Sequence, residues 1–139
     1  MITHHLTAGA VRSALEDARA RGEACLSEWI RNGVLVPGRE IEAMWRMTGD
    51  ELAAACGPGG ELFSLWIAQQ HWYPSEILRF SRDAFTEVNR ALGDCDPTHK
   101  LLFLLTTHGA LRGLRPARAY VQGLLPDILR AAEVWTSDH

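Results

Sequence analysis

Long apolar runs are scarce in this chain of 139 residues. The longest candidate, Leu101 to Leu105, covers five residues, far short of the ~18 to 20 that a membrane-spanning helix needs. The opening MITHHLTAG has neither a basic segment nor an apolar one, so a cytoplasmic protein without a secretory signal is expected. Cysteine is sparse too. Cys25, Cys56 and Cys95 are odd in number, lie 31 and 39 residues apart and form no CxxC pair. That spacing suits neither a disulfide framework nor a zinc knuckle, and leaves plain thiols of a reducing compartment.

Catalytic signatures are missing as well. None of His4, His5, His71, His99, His108 and His139 has HxxxH or HExxH spacing. Ser64, Ser75 and Ser81 lack the context of a nucleophile elbow, and neither a P-loop nor GxGxxG occurs. The expectation is therefore a binding protein rather than an enzyme, with no catalytic residue, no metal and no cofactor. Basic charge is also short. The chain has 14 basic and 17 acidic residues, a net charge of −3, and the imbalance is local. Residues 1–33 and 81–139 are each balanced, whereas 34–80 set Arg39, Arg46 and Arg79 against six acids. A nucleic-acid binder normally begins with a basic footprint, and the middle of this chain has the opposite sign.

What is present is ample apolar material, 47% of residues with only 22% charged, enough for one domain or two small lobes sharing a core. Three segments are expected: an N-terminal helical part over 1–33, a helix-turn-helix-like region with a β-hairpin over 34–80, and a helical region over 81–139. The fold class is mainly α. In the first segment Val11, Ala14, Leu15, Ala18, Gly22, Cys25, Leu26, Trp29 and Ile30 line one helical face. Thr7 suits its start and Asn32-Gly33 its end. Gly22 either divides it into two helices or sits at a close contact.

After VLVPG, the run REIEAMWR reads as a short helix with Ile41, Met44 and Trp45 inward. Thr48 and Glu51 fit a capping box, which starts a second helix reaching about Cys56. CGPGG stops it. ELFSLWI, a turn at QQ, and HWYP then suggest a hairpin. Its aromatics Trp66, Trp72 and Tyr73 suit packing, or stacking on single-stranded bases, while Trp29 and Trp45 read as core. Helix, turn, helix and hairpin is the outline of a winged helix-turn-helix. Further on, Ala84, Phe85, Val88, Ala91 and Leu92 mark a helix closed by GDCDP. Asp96-Pro97 starts the next helix. LLFLL, apolar all round, is expected at the centre of the domain. Val121, Leu124, Leu125, Ile128, Leu129, Ala132 and Trp135 describe a final amphipathic helix interrupted near Pro126, with an apolar face suited to a homo-oligomer.

The densest special chemistry lies in THGALRGLRPARAYVQG, residues 107–123, with three glycines, one proline and three arginines. Gly109 and Gly113 permit backbone angles or close approaches that a side chain forbids, and Pro116 suits the first turn of a helix. A rigid connection presenting Arg112, Arg115 and Arg118 outward would dock an acidic partner through guanidinium forks; a plain helix corner with solvated arginines would carry the same residues. His108, at the entry to the turn, suits a helix C-terminus.

From Val34 to Trp135 the chain resembles bacterial proteins that join a helix-turn-helix region to an Xre/MbcA/ParS-type toxin-binding domain. The likeness rests on PGREI before the two short helices, WYP at the end of the hairpin, ALGD at 91–94, KLLFLLTTHGALRGLRP, Gly123 and LRAAE. The spacing Gly109, Gly113, Pro116, Gly123 is its most distinctive part. The resemblance implies an antitoxin-like module that binds and neutralises a partner, often a RES-type toxin, and autoregulates its operon. On that reading His108, Arg112, Arg115, Arg118, Trp135 and Asp138 meet the partner. The C-terminal EVWTSDH would reach into the toxin, with Asp138 and the terminal carboxylate as its anions.

The alternatives are a transcriptional regulator reading DNA through residues 39–73, or a stand-alone oligomeric adaptor. Here the chain departs from a DNA reader, which uses Arg, Lys, Asn or Gln on base edges. The second short helix, TGDELAAAC, carries Asp50 and Glu51 and no base, and Glu61 adds a negative charge at the start of the hairpin. Arg39, Arg46, Arg79 and Arg82 are the nearby cations that could reach phosphates.

Overall fold

The computed structural model of the protein describes residues 26–56 and 60–138. Residues 26–31 are helical. Gly33, at φ +77°, closes that helix, its N–H donating to Ile30 O at 3.2 Å, as Asn32-Gly33 predicts. The earlier helical face, with the Gly22 question, Thr7 and Cys25, lies outside the described residues.

The chain then enters a three-residue strand, β1 (Leu35–Pro37), and passes directly into helix α1 (Gly38–Trp45). A Cβ at Gly38 would lie 2.9 Å from Leu52 Cδ2 and 3.2 Å from Tyr73 Cε1, so glycine lets this helix start close against its neighbours. Ile41 is fully buried, and the half-buried Trp45 donates its indole N–H to Phe80 O at 3.2 Å. Met44 departs from expectation and is 57% exposed. A helix of two turns presents only a narrow stripe to its neighbours, and Ile41 and Trp45 take it.

Helix α2 (Gly49–Ala55) begins at the expected capping box. Glu51 N–H donates to Thr48 Oγ1 at 3.1 Å, and Thr48 N–H donates to the Glu51 carboxylate at 2.9 Å.

Strands β2 (Leu65–Ile67) and β3 (Gln70–Pro74) form the hairpin, one residue out of the expected phase. The turn is Ala68-Gln69, both at positive φ (+52° and +68°), the twist that matches a two-residue hairpin. The sheet is antiparallel in the order β1-β3-β2. It pairs Val36 with Tyr73 and Leu65 with Trp72. Tyr73 is buried, Trp72 is half-buried and Trp66 is 59% exposed.

A 3₁₀ turn (Ser75–Arg79) leads to helix α3 (Arg82–Leu92), which Ser81 caps by accepting from Ala84 N–H at 3.1 Å. Ala84, Phe85, Val88 and Leu92 are buried as the periodicity predicts, and so are Thr86 and Asn89. Asp96 caps helix α4 (Pro97–Leu105) by accepting from Thr98 N–H at 3.0 Å. This helix is not covered all round. Leu101, Phe103 and Leu104 are buried, but Leu102 is 39% exposed and Leu105 half-buried.

The central place belongs instead to α3, which packs along the last helix, α6 (Leu125–Asp138). Before it stands the short helix α5 (Pro116–Val121). The break falls at Gly123, φ +79°, and Pro126 sits within the first turn of α6, where a proline is tolerated. Val121 ends α5 at 73% exposed, outside the expected apolar face. Ile128 and Ala132 of that face are covered within the chain, and so is the neighbouring Ala131. The molecule is thus mainly helical with a small antiparallel sheet, and its buried residues from Leu35 to Ala132 form one cluster.

Candidate functional site

The turn at 107–123 is built by hydrogen bonds as well as by its glycines. His108 and Leu114 face each other as an isolated antiparallel bridge, with His108 N–H donating to Leu114 O at 3.1 Å. The carbonyl of His108 accepts from both Leu111 N–H and Gly113 N–H, each at 2.9 Å. Between them Gly109–Leu111 forms a single 3₁₀ turn whose Leu111 side chain is fully buried. Arg112 and Gly113 both take positive φ, +60° and +77°. Gly113 is therefore needed for its backbone angle. Gly109 is not: its φ is outside the left-handed region, and a Cβ there would meet nothing within 4 Å. Neither the special backbone angle nor the close approach expected of Gly109 is present, and the second left-handed position of the turn falls to Arg112.

Pro116 opens α5 as expected, with Pro116 and Ala117 buried. Arg112, Arg115 and Arg118 are exposed, and none forms an ion pair with a described carboxylate. Their charge sits on an anchored backbone. His108 and Trp135 come together, their ring centroids 5.8 Å apart and edge-on. His108 Nε2 lies 3.0 Å from Phe103 O and therefore carries the hydrogen, since a carbonyl only accepts. Its ring also lies 4.7 Å from that of Phe103. Trp135 donates its indole N–H to His99 O at 3.1 Å. Around this pair a groove of about 360 Å³ is lined by His108, Ala110, Ala131, Val134 and Trp135, with Arg130 at its edge. Val134 is 60% exposed. Arg130 is paired with Asp127 in the same helix. The side chain of Asp138, which ends α6, and all of His139 lie outside the described residues.

Of the four candidate DNA-contacting residues, two are ion-paired among the described residues. Arg39 is exposed on α1, and Arg46 is exposed at its C-terminus with φ +55°. Arg79 pairs with Glu76 at 3.8 Å. Arg82 binds Glu61 through two contacts, Nε to Oε1 at 2.6 Å and an NH2 nitrogen to Oε2 at 2.9 Å. This hydrogen-bonded guanidinium holds the Glu61 carboxyl below its ordinary range and raises Arg82 in turn. The outward positions of α2 are Asp50, Glu51, Ala53 and Ala54, which offer no donor to a base edge. Hydrogen bonds from Thr48 hold the Glu51 carboxyl below the usual range, so it stays charged.

A second feature has no counterpart in the local sequence pattern. Lys100 is buried in α4 beside the buried Asn89 of α3, with Nζ donating to Asn89 Oδ1 at 3.1 Å. Asn89 interrupts a stretch that reads as ordinary amphipathic helix, and Lys100 directly precedes the apolar run LLFLL. The signal available in advance was compositional, since Lys100 is the chain's one lysine. Of the thiols, Cys56 lies half-buried 3.6 Å from Tyr73 Oη, and burial pushes it upward, which keeps it protonated. Among the described residues no helix is long and apolar enough to cross a membrane, and no group of three or more His, Cys, Asp or Glu could hold a metal ion. No family model matches the chain, and neither a curated protein nor a solved structure matches it.

Proposed function

We propose that this chain is an antitoxin-like protein-binding module that docks its partner, a RES-type toxin by resemblance, on the 107–123 turn and α6. One observation carries this reading: a hydrogen-bonded turn holds three exposed arginines that pair with no described carboxylate, and it also lines the apolar groove through Gly109 and Ala110. Guanidinium forks take carboxylates in two parallel hydrogen bonds. The groove beside them takes an apolar side chain onto Val134 and Trp135. A rigid turn loses little entropy on binding, which favours affinity. An acidic partner surface with an apolar anchor fits this arrangement.

On the same reading the N-terminal half is a scaffold. A strand, two short helices joined through Arg46–Thr48, and a hairpin whose second strand pairs back with the first support reading this half as a winged helix-turn-helix. Its outward helix is acidic, and two of its four candidate cations are already paired. The lost phosphate contacts remove the electrostatic term that dominates DNA affinity.

The test is co-purification with a RES-type toxin and rescue of growth on co-expression. Arg112→Glu/Arg115→Glu/Arg118→Glu reverses the exposed charges without touching the core. It should weaken the complex at least about tenfold, or ~1.4 kcal/mol, and abolish rescue, with the thermal midpoint unchanged. Undiminished binding by this variant would overturn the reading. Insertion of the C-terminus into the toxin calls for a shorter cut than removal of 134–139. Trp135 packs 5.9 Å from the Phe103 ring and bonds His99, so that larger truncation would damage the fold. Deleting 137–139 spares these contacts and should still abolish neutralisation.

A further inference from the structure

Lys100 is the single lysine among 14 basic residues, and only 8% of it is exposed. An ammonium taken out of water is costly unless it is paired, which is why lysine is among the residues least often buried. Here no described carboxylate lies within 4.0 Å of it. Its direct contacts are neutral, and the Asp94 carboxylate of the same cleft acts on it only at longer range. Nζ donates to Asn89 Oδ1 at 3.1 Å and lies 5.5 Å from the centre of the Phe63 ring. Asn89 is held in turn, its Nδ2 donating to Gly60 O at 3.0 Å, so its carbonyl oxygen stays aimed at the lysine. One amide dipole and one ring face thus touch a buried charge, and the Asp94 carboxylate supports it from a distance. By contrast the half-buried Arg82 has a full carboxylate.

The lysine lines a cleft of about 400 Å³ between the segment 62–64, the end of α3 and the start of α4. That volume lies within the ~300–1,000 Å³ of small-molecule sites. One wall is apolar, with Leu62, Phe63 and Pro97; the other carries Arg90 and Asp94. Against one carboxylate stand two cations, so the lining is positive by one charge. The Cys56 thiol, also on this wall, is kept neutral by burial.

We infer that this cleft binds a small organic anion, a carboxylate or phosphate monoester on an apolar body, with Lys100 as its counter-ion. The anionic oxygens take the Nζ hydrogens not donated to Asn89 and reach Arg90 at the mouth, while the body lies over Phe63, Leu62 and Pro97. Water is partly excluded there, so the charge pairing is stronger than on the surface. Burial pushes the Lys100 ammonium down from its ordinary value, and a bound anion opposes that shift. Stored desolvation cost thus becomes affinity for a ligand of the right sign.

The experiment is calorimetric titration of the full chain with benzoate and with phenyl phosphate, repeated on Lys100→Met and Arg90→Ala. Replacing a buried charge by an apolar side chain of similar length is commonly neutral or stabilising, so Lys100→Met should fold. At least one anion should saturate at a single site. Lys100→Met should weaken it at least about tenfold, and the exposed Arg90→Ala a few-fold. The tighter of the two names the headgroup, carboxylate or phosphate. A lone lysine also gives a lone ammonium resonance, and saturation should move it in the unaltered protein. Absence of saturable binding of either anion up to about 10 mM, a limit of only a few kcal/mol, overturns the proposal. Equal affinity in Lys100→Met, or an unmoved ammonium resonance at saturation, does so too.

Discussion

Two glycines four residues apart in the 107–123 turn should respond to alanine in opposite directions. Gly113 stands at φ +77° with its N–H bonded to His108 O. An alanine there is forced into the left-handed region, at a cost of ~1–2 kcal/mol. Gly109 starts the 3₁₀ turn outside that region, with no atom within 4 Å of the Cβ it lacks. Alanine at Gly109 removes freedom from the unfolded chain and stabilises by roughly 0.4–1 kcal/mol. The two variants should therefore differ by about 2 kcal/mol, although each adds the same methyl group. Urea unfolding followed by tryptophan fluorescence resolves this. With a denaturant slope of ~1–3 kcal/mol per molar, the midpoints should separate by about 1 M, Gly109→Ala above the unaltered protein and Gly113→Ala below it. Midpoints that coincide, or an inverted order, would refute the roles assigned to the two glycines.

The Glu61–Arg82 pair should show itself in acid. Glu61 is held below its ordinary value, so its contribution is present above the usual carboxylate range and is lost as pH falls through its own lowered range. Glu61→Gln should therefore be less stable than the unaltered protein near neutrality, by no more than ~1 kcal/mol since both side chains are partly exposed. The gap should close in acid, and a gap that widens there would contradict the assignment. Fluorescence anisotropy against the protein's own promoter, at about 50 and 200 mM salt, should detect no promoter-selective, salt-steep binding. Tight binding that falls by orders of magnitude between those salts would turn the scaffold reading into a regulator.

Much of the local architecture was legible in advance because its interactions close within a few residues. Thr48 and Glu51 cap across three positions, and Asp96-Pro97 starts α4 as written. Alternating aromatics disclosed the hairpin, though not its phase. Neither Ala68 nor Gln69 is a usual left-handed residue, so nothing in the composition of the turn marked it. β1 escaped notice, since three residues carry no period and exist as a strand only by pairing with β3. The exposure of Met44, Leu102 and Val121 departs from the apolar spacing for a related reason. Apolar spacing names a stripe, and the neighbours that arrive from elsewhere decide how wide the covered part is.

The candidate site divides along the same line. Composition alone established that 107–123 is a turn rich in arginine, that the middle of the chain is acidic, and that the chain has one lysine. Packing established the rest. It paired Arg82 with Glu61 across 21 residues, set Lys100 on Asn89 across 11, and brought Trp135 to His99 across 36. Caps and turns depend on backbone groups within one helical turn and are written in neighbouring residues. Burial and charge pairing depend on which surfaces the folded chain brings together, and no local period encodes that.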